Sequence, residues 1–313
     1  MSRSMEQFHR NRAIFFAIFS VILMILACLP VGAQQTTKPA EPSKPPGGKS
    51  FASPEAAVAA LYAAARRNDE NEILMILGPG AKEIIHWNDD RAVRQARREE
   101  FVKRYDQMHR LVREPDDTVA LYVGAENWPA PIPLVEYKGA WYFDAELGKQ
   151  EILYRRIGRN EVEALEVCHA LVDAEKEYFA GAHEYTAKFL STKGAHDGLY
   201  WSSTEGPTKS LIGPYLAHAG VSGPKDENNK PFHGYYYRIL TIQDPGAPGG
   251  ADHGKMTGFA IVAYPAAYRS SGVMTFLMDQ NGSAHEKDLG ANTHSLARQI
   301  GALNPDNTWK KVE

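Results

Sequence analysis

The chain has 313 residues, a formal net charge of −3, 43% apolar and 23% charged residues, and two cysteines. That composition can build a core, so global disorder is excluded, and the near-balanced charge gives no drive toward nucleic acid. Two cysteines exclude a disulfide framework, a four-cysteine zinc site and an iron–sulfur cluster.

Arg3, Arg10 and Arg12 against Glu6 make a positive head on an uncharged apolar run from Ala13 to Leu29. Pro30 and Val31-Gly32-Ala33 follow, so the layout is that of a secretory signal peptide over 1–33, cleaved between Ala33 and Gln34. Ile25-Leu26-Ala27-Cys28 also resembles a lipobox, which offers Cys28 as a lipidated N-terminus. A third route keeps the 17 apolar residues as an uncleaved anchor, at the short end for a spanning helix. Each route implies an exported protein: periplasmic, outer-membrane-associated or secreted. It would touch a membrane only through the signal peptide or a lipid anchor. Losing residues 1–33 removes three Arg and one Glu, moving the charge from −3 to −5. Residues 34–50, rich in Pro, Lys and Ser, bury too little to offset ordering entropy and read as a flexible tether.

A first unit is expected over 51–157. Ser53-Pro54 starts a helix with Val58, Leu61, Tyr62 and Ala65 on one face. Asn68-Asp69 caps a second helix with Ile73, Leu74, Ile76 and Leu77, stopped by Gly78-Pro79-Gly80. Asp89-Asp90 opens a charged helix to about Arg110, whose Arg91, Arg94, Arg97 and Arg98 interleave with Glu99 and Glu100 as a solvated face. Period-two runs at Thr118–Gly124, Ile132–Tyr137 and Ala140–Asp144 read as strands, the last two joined at Lys138-Gly139. Helices followed by a meander give an α+β roll. This order, with the Trp141–Asp144 strand, resembles the nuclear-transport-factor-2-like and cystatin-like rolls, which implies a pocket between helix and curved sheet.

A second unit is expected over 158–313, divided from the first at Gly158-Arg159. Asn160 with Glu163 reads as a capping box for a helix from Glu161 to about Ala180, with Val162, Leu165, Cys168, Leu171, Val172 and Tyr178 on its apolar side. Cys168 reads as a buried, inert thiol. A turn-rich stretch follows, with a short helix near Ser210–Ala219. Strands are expected at Phe232–Ile242, Thr257–Tyr264, Val273–Asp279 and Ser283–Lys287, the last pair joined by Asp279-Gln280-Asn281-Gly282. The whole is again α+β: a long helix packed on an antiparallel sheet.

GRNEVEALEVCHALVDAEKEYF, HGYYYRILT, DPGAPGG, GFAIVAYPAAY and SGVMTFLMDQNGSAHEKDLG, with WPAPIPLVEYKGAWYFD in the first unit, resemble the bacterial domain-of-unknown-function family 2950. The resemblance implies an exported bacterial protein and no particular activity. The segment between Gly250 and Gly258 is shorter than that family's pattern. The second unit alone is similar to the globular half of pilins and pseudopilins. No hydrophobic half-helix with a prepilin site precedes Glu161, so only the domain shape is implied.

Chemical signatures are sparse. Gly249–Lys255 (GGADHGK) fits a phosphate-loop frame, but Met256 stands where Ser or Thr is needed and a strand follows instead of a helix. His183-Glu184 and His285-Glu286 lack the second His of a zinc-protease motif, and Asp279–Gly282 has the wrong spacing for a calcium loop. His233, His253, His285 and His294 share the second unit without ligand spacing. His86-Trp87 beside Asp89-Asp90 is an acid/base candidate, with helix capping the simpler role. Alternation along Tyr235, Tyr236 and Tyr237 leaves one face for the helix and one as a candidate binding surface.

These readings assign no catalytic residue, metal or cofactor. They favour a non-enzymatic binding or scaffold module whose partner is an envelope protein or small ligand. A hydrolase or metal enzyme built on the second-unit histidines, and a small-ligand binder built on a first-unit pocket, are the alternatives.

Overall fold

The computed structural model describes residues 47–86, 90–205, 209–221, 229–240, 251–252, 255–256, 258–301 and 303–312. The chain is α+β, with two main antiparallel sheets and one long helix that enters the core of each.

The first layer begins with α1 (Pro54–Arg66), capped by Ser53, whose hydroxyl accepts from the Ala56 amide. Helix α2 (Glu70–Leu77) is capped in the same way by Asp69. A one-turn helix α3 (Ala81–Ile85) follows Gly78-Pro79-Gly80, where the sequence showed only a stop. Helix α4 (Arg91–Gln107) is capped by Asp90 and has no fully buried residue. It ends at Met108, in extended conformation, rather than near Arg110.

His109–Arg113 therefore forms strand β1, paired with β2 (Val119–Val123). Leu111 and Val112 are half-buried on opposite sides of this strand, and Leu111 packs against the first core. Strands β3 (Trp128–Pro129), β4 (Leu134–Tyr137) and β5 (Ala140–Phe143) complete the sheet, in the order β1-β2-β4-β5 with β3 beside β2. Val119, Leu121, Val123, Leu134, Trp141 and Phe143 point into a core with Val58, Ile73, Ile76 and Leu77. Each such aliphatic or aromatic side chain contributes about 1.5–3 kcal/mol by leaving water.

Helix α5 runs from Ala145 to Ala182, 38 residues, across the boundary expected at Gly158-Arg159. Its cap is Asp144, which accepts from the Glu146 and Leu147 amides. Asn160 and Glu163 do not form a capping box. Asn160 Nδ2 donates to Ser271 O, and Glu163 pairs with His233 at 2.7 Å. Both tie the helix to the second sheet. Gly158 costs a helix interior only about 1 kcal/mol relative to Ala and does not stop it. Gly148 is needed for a close approach, since a Cβ there would lie 2.8 Å from Ile132 Cγ1.

The short helix α6 (Pro214–Ala217) lies inside the stretch expected to be helical. The second sheet comprises β6 (Tyr235–Leu240), β9 (Ala260–Pro265), β10 (Met274–Asp279), β11 (Ala284–Asp288) and β12 (Lys310–Lys311), in the order β12-β11-β10-β9-β6. Between β6 and β9, β7 (Ala251–Asp252) pairs with β8 (Lys255–Met256). Helix α7 (Thr293–Gln299) packs on the sheet face opposite α5. Every residue of β9 is buried, because Ile261 and Ala263 face the α5 side while Ala260, Val262 and Tyr264 face the α7 side. This double cover explains the unbroken apolar run in the sequence. Among the described residues no helix is long and apolar enough to cross a membrane.

Candidate functional site

Of the tyrosine run, Tyr235 and Tyr237 face the long helix and offer no exposed surface. Tyr235 and Tyr237 are 0% exposed, packed in the core beneath α5. Their hydroxyls donate to Met274 O at 2.9 Å and Phe232 O at 3.3 Å. Burial pushes both phenols far above the usual tyrosine range. Tyr236 faces the other way and is half-covered, its ring 5.8 Å from Tyr264 and 6.0 Å from His294.

Of the second-unit histidines, His233 and His294 lie on opposite sides of the sheet. His233 meets Glu163 on the α5 side, while His294 sits against Tyr236 and Tyr264 on α7. His285 occupies β11 opposite Leu277, and His253 lies outside the described residues. Among the described residues no group of three or more His, Cys, Asp or Glu side chains is placed to hold a metal. Around the phosphate-loop frame, Ala251↔Met256 and Asp252↔Lys255 pair as strands, with no helix opened there. Asp279 Oδ1 accepts from the Asn281 and Ser283 amides with Gly282 at φ +86°, a hairpin turn. Cys168 is buried and its thiol is pushed up by burial.

In the first layer, His86 Nε2 lies 2.8 Å from Glu70 Oε1, and Glu70 also takes Arg94 and Arg98. Asp90 spends its carboxylate on the α4 cap; Trp87 and Asp89 lie outside the described residues. The space between helices and sheet, where the roll resemblance implied a pocket, holds the apolar core. A groove of about 570 Å³ lies instead along α2, lined by Gly47, Lys49, Glu72, Met75 and Pro79. Cys28, Ala33, Gln34 and tether residues 34–46 lie outside the described residues. The tether's last residues stay mostly exposed but are tied to α2, the Lys49 amide bonding Met75 O at 3.0 Å.

The arrangement with the chemistry of an interface lies where β3 meets the N-terminal half of α5. Trp128 on β3 is 51% exposed and Tyr154 on α5 is 63% exposed. The Arg155 guanidinium sits 5.4 Å from the centre of the Trp128 ring. It is fixed there by Glu151 Oε1 at 2.6 Å and Pro129 O at 2.8 Å. Beside it, Arg110 lies 4.7 Å over the Tyr122 ring and donates to Asn127 Oδ1 at 2.8 Å. Tyr122 donates to Glu114 Oε1 at 3.0 Å, and burial followed by that carboxylate raises its phenol. Rigid Trp, Tyr and Arg groups are the residues that carry most binding energy at protein interfaces. Holding them in place beforehand lowers the entropy cost of association.

Sequence reasoning missed this surface. The Trp128-Pro129 strand is two residues long, and Tyr154 and Arg155 fall in a helical half that went unread. It also missed Glu175, which is fully buried on α5. Glu175 stands seven residues after Cys168 and four after Leu171, on the apolar stripe itself. A carboxyl at a stripe position was the available signal.

No curated protein and no solved structure matches this chain, so the pilin likeness of the second sheet finds no support there. The family model described as "Protein of unknown function (DUF2950)" matches residues 48–312. That span takes in both sheets, the long helix between them, and Trp128 with the Arg155 held over it, and the chain belongs to the DUF2950 family.

Proposed function

We propose that this chain is an exported, non-enzymatic module of the cell envelope that binds a protein partner through the face formed by Trp128, Tyr154, Arg155 and Arg110. The observation that carries the reading is the exposed Trp128 ring with Arg155 held over it at 5.4 Å. The partner is a protein surface that sets apolar groups against Trp128 and Tyr154 and a carboxylate against the arginines. Export rests on the Arg-headed apolar run from Ala13 to Leu29.

The test is made in the native host with the full chain. Fractionation should place the protein outside the cytoplasm, and Cys28→Ser separates the two processing routes. A soluble product with that substitution and without it indicates cleavage at Ala33; release from the membrane only on substitution indicates lipidation. A Trp128→Ala, Tyr154→Ala double variant should keep its fold and export while losing its co-purifying partner. Cytoplasmic retention of the wild type, or an identical partner set for the double variant, contradicts the proposal.

A further inference from the structure

After α5 the chain turns at His183, in left-handed conformation at φ +57°. It then lays the segment Tyr185–Trp201 back against the helix. Phe189 and Leu199 of that segment are buried in the core with Leu171 and Val172. The segment holds itself together. Leu199 N donates to Lys188 O and Tyr200 N to Phe189 O, at 3.0 and 2.8 Å. Lys188 Nζ pairs with Asp197, which also accepts from the Thr192 amide at 2.6 Å. The Thr186 hydroxyl donates to Asp197 O and accepts from the Lys188 amide.

The side-chain hydrogen bond from α5 to this segment is made by Glu175, whose Oε2 accepts from the Thr186 amide at 3.1 Å. Its other oxygen, Oε1, is buried with no hydrogen-bond partner among the described residues. An ionised carboxylate cannot be kept in such a place cheaply, since one amide donor does not replace its water.

We propose that Glu175 is a proton-operated catch: its neutral carboxyl holds the Tyr185–Trp201 segment down on α5, and loss of the proton lets the segment lift. Lifting admits water to the carboxylate and uncovers Phe189, Leu199 and the helix surface beneath them. Burial raises the Glu175 carboxyl to about 8, against the smaller opposite pull of the Thr186 amide. The catch is therefore set at neutral pH and opens in mildly alkaline medium.

Other titratable and charged groups near the catch are Tyr178 on α5 and Glu184, Lys188, His196 and Asp197 on the segment side. Burial, then the charges of Glu184, Asp197 and Glu175, push the Tyr178 phenol up, so it stays protonated while Glu175 titrates. Asp197 is held down to about 2, chiefly by Lys188, and does not change in this range. The core on the sheet side contributes Cys168, Tyr235 and Tyr237, all raised by burial.

Amide hydrogen exchange on the full chain, corrected for intrinsic rate, tests the catch. Protection at Thr186, whose amide bonds across to the helix, should fall at least about tenfold between about pH 6.5 and about pH 9.5, while β9 amides keep theirs. Glu175→Gln keeps the acceptor and cannot ionise, so its segment should stay protected throughout. Glu175→Leu removes both acceptor and charge, so its segment should be loose at every pH. An unchanged wild-type segment overturns the proposal. So does the same fall in Glu175→Gln, which would assign the transition to another group. The readout needs no partner, so it stands or falls apart from the proposed binding face.

Discussion

Along β2, buried and half-buried residues alternate from Val119 to Val123, whereas in the second sheet every residue of β9 is buried. The first sheet turns one side to its helices, and beside it Trp128 stands half in water under the Arg155 guanidinium. The second is closed by α5 on one face and α7 on the other. Aromatic content therefore means opposite things in the two places. Tyr235 and Tyr237 fill a core, while Trp128 and Tyr154 stand on a surface with arginines fixed beside them. The sheet richer in tyrosine is the scaffold, and the sparser one carries the candidate interface.

Substitutions should separate these roles. The largest effect belongs to the doubly covered sheet: Tyr237→Ala should cost about 3–5 kcal/mol in urea unfolding, by lost burial and a cavity. A cost below about 1 kcal/mol would mean that this core is not packed as described.

The pH dependence of stability is next. The Glu175 carboxyl is raised in the folded chain from an ordinary value of 4.5 to about 8. Its contribution to stability is therefore fully present below about 4.5 and is lost as pH rises through about 8. The loss is on the order of a few kcal/mol. Glu175→Gln should remove that slope and be more stable than wild type at alkaline pH in the same unfolding experiment.

Gly148→Ala should cost about 1–3 kcal/mol, because the new methyl meets Ile132 where α5 crosses the first core. Gly158→Ala, which meets nothing within 4 Å, should stabilise by up to about 1 kcal/mol. Equal effects at the two glycines, read from thermal midpoints, would contradict the path of α5. The smallest stability change is expected at Trp128→Ala, within about 1 kcal/mol, since only a half-exposed ring and one cation–π contact are lost.

What was legible in the sequence was local chemistry. Ser53, Asp69 and Asp90 cap the helices they were expected to cap, because a cap is a side chain bonding amides two or three residues away. The Asp279–Gly282 hairpin was legible for the same reason. What depended on distant partners was not. Asn160 and Glu163 form a good capping box on paper, yet their partners Ser271 and His233 are far along the chain. The true start of α5, at Asp144, was masked by reading that residue as the end of a strand. Tyrosines in a row on a strand do not reveal that helices cover both faces. Neither does the Trp128-Pro129 pair reveal the arginine that a helix more than twenty residues later lays across it.

The account rests on the first-layer face being an interface and the second sheet its support. The most direct measurement is site-specific photo-crosslinking of the full chain in its native host, with the reactive group placed at Trp128, at Tyr154, and on the second sheet at Tyr236 and Lys310. The account predicts one discrete adduct, shared by positions 128 and 154 and absent from 236 and 310. No adduct at 128 and 154, or the same adduct from both sheets, would contradict it.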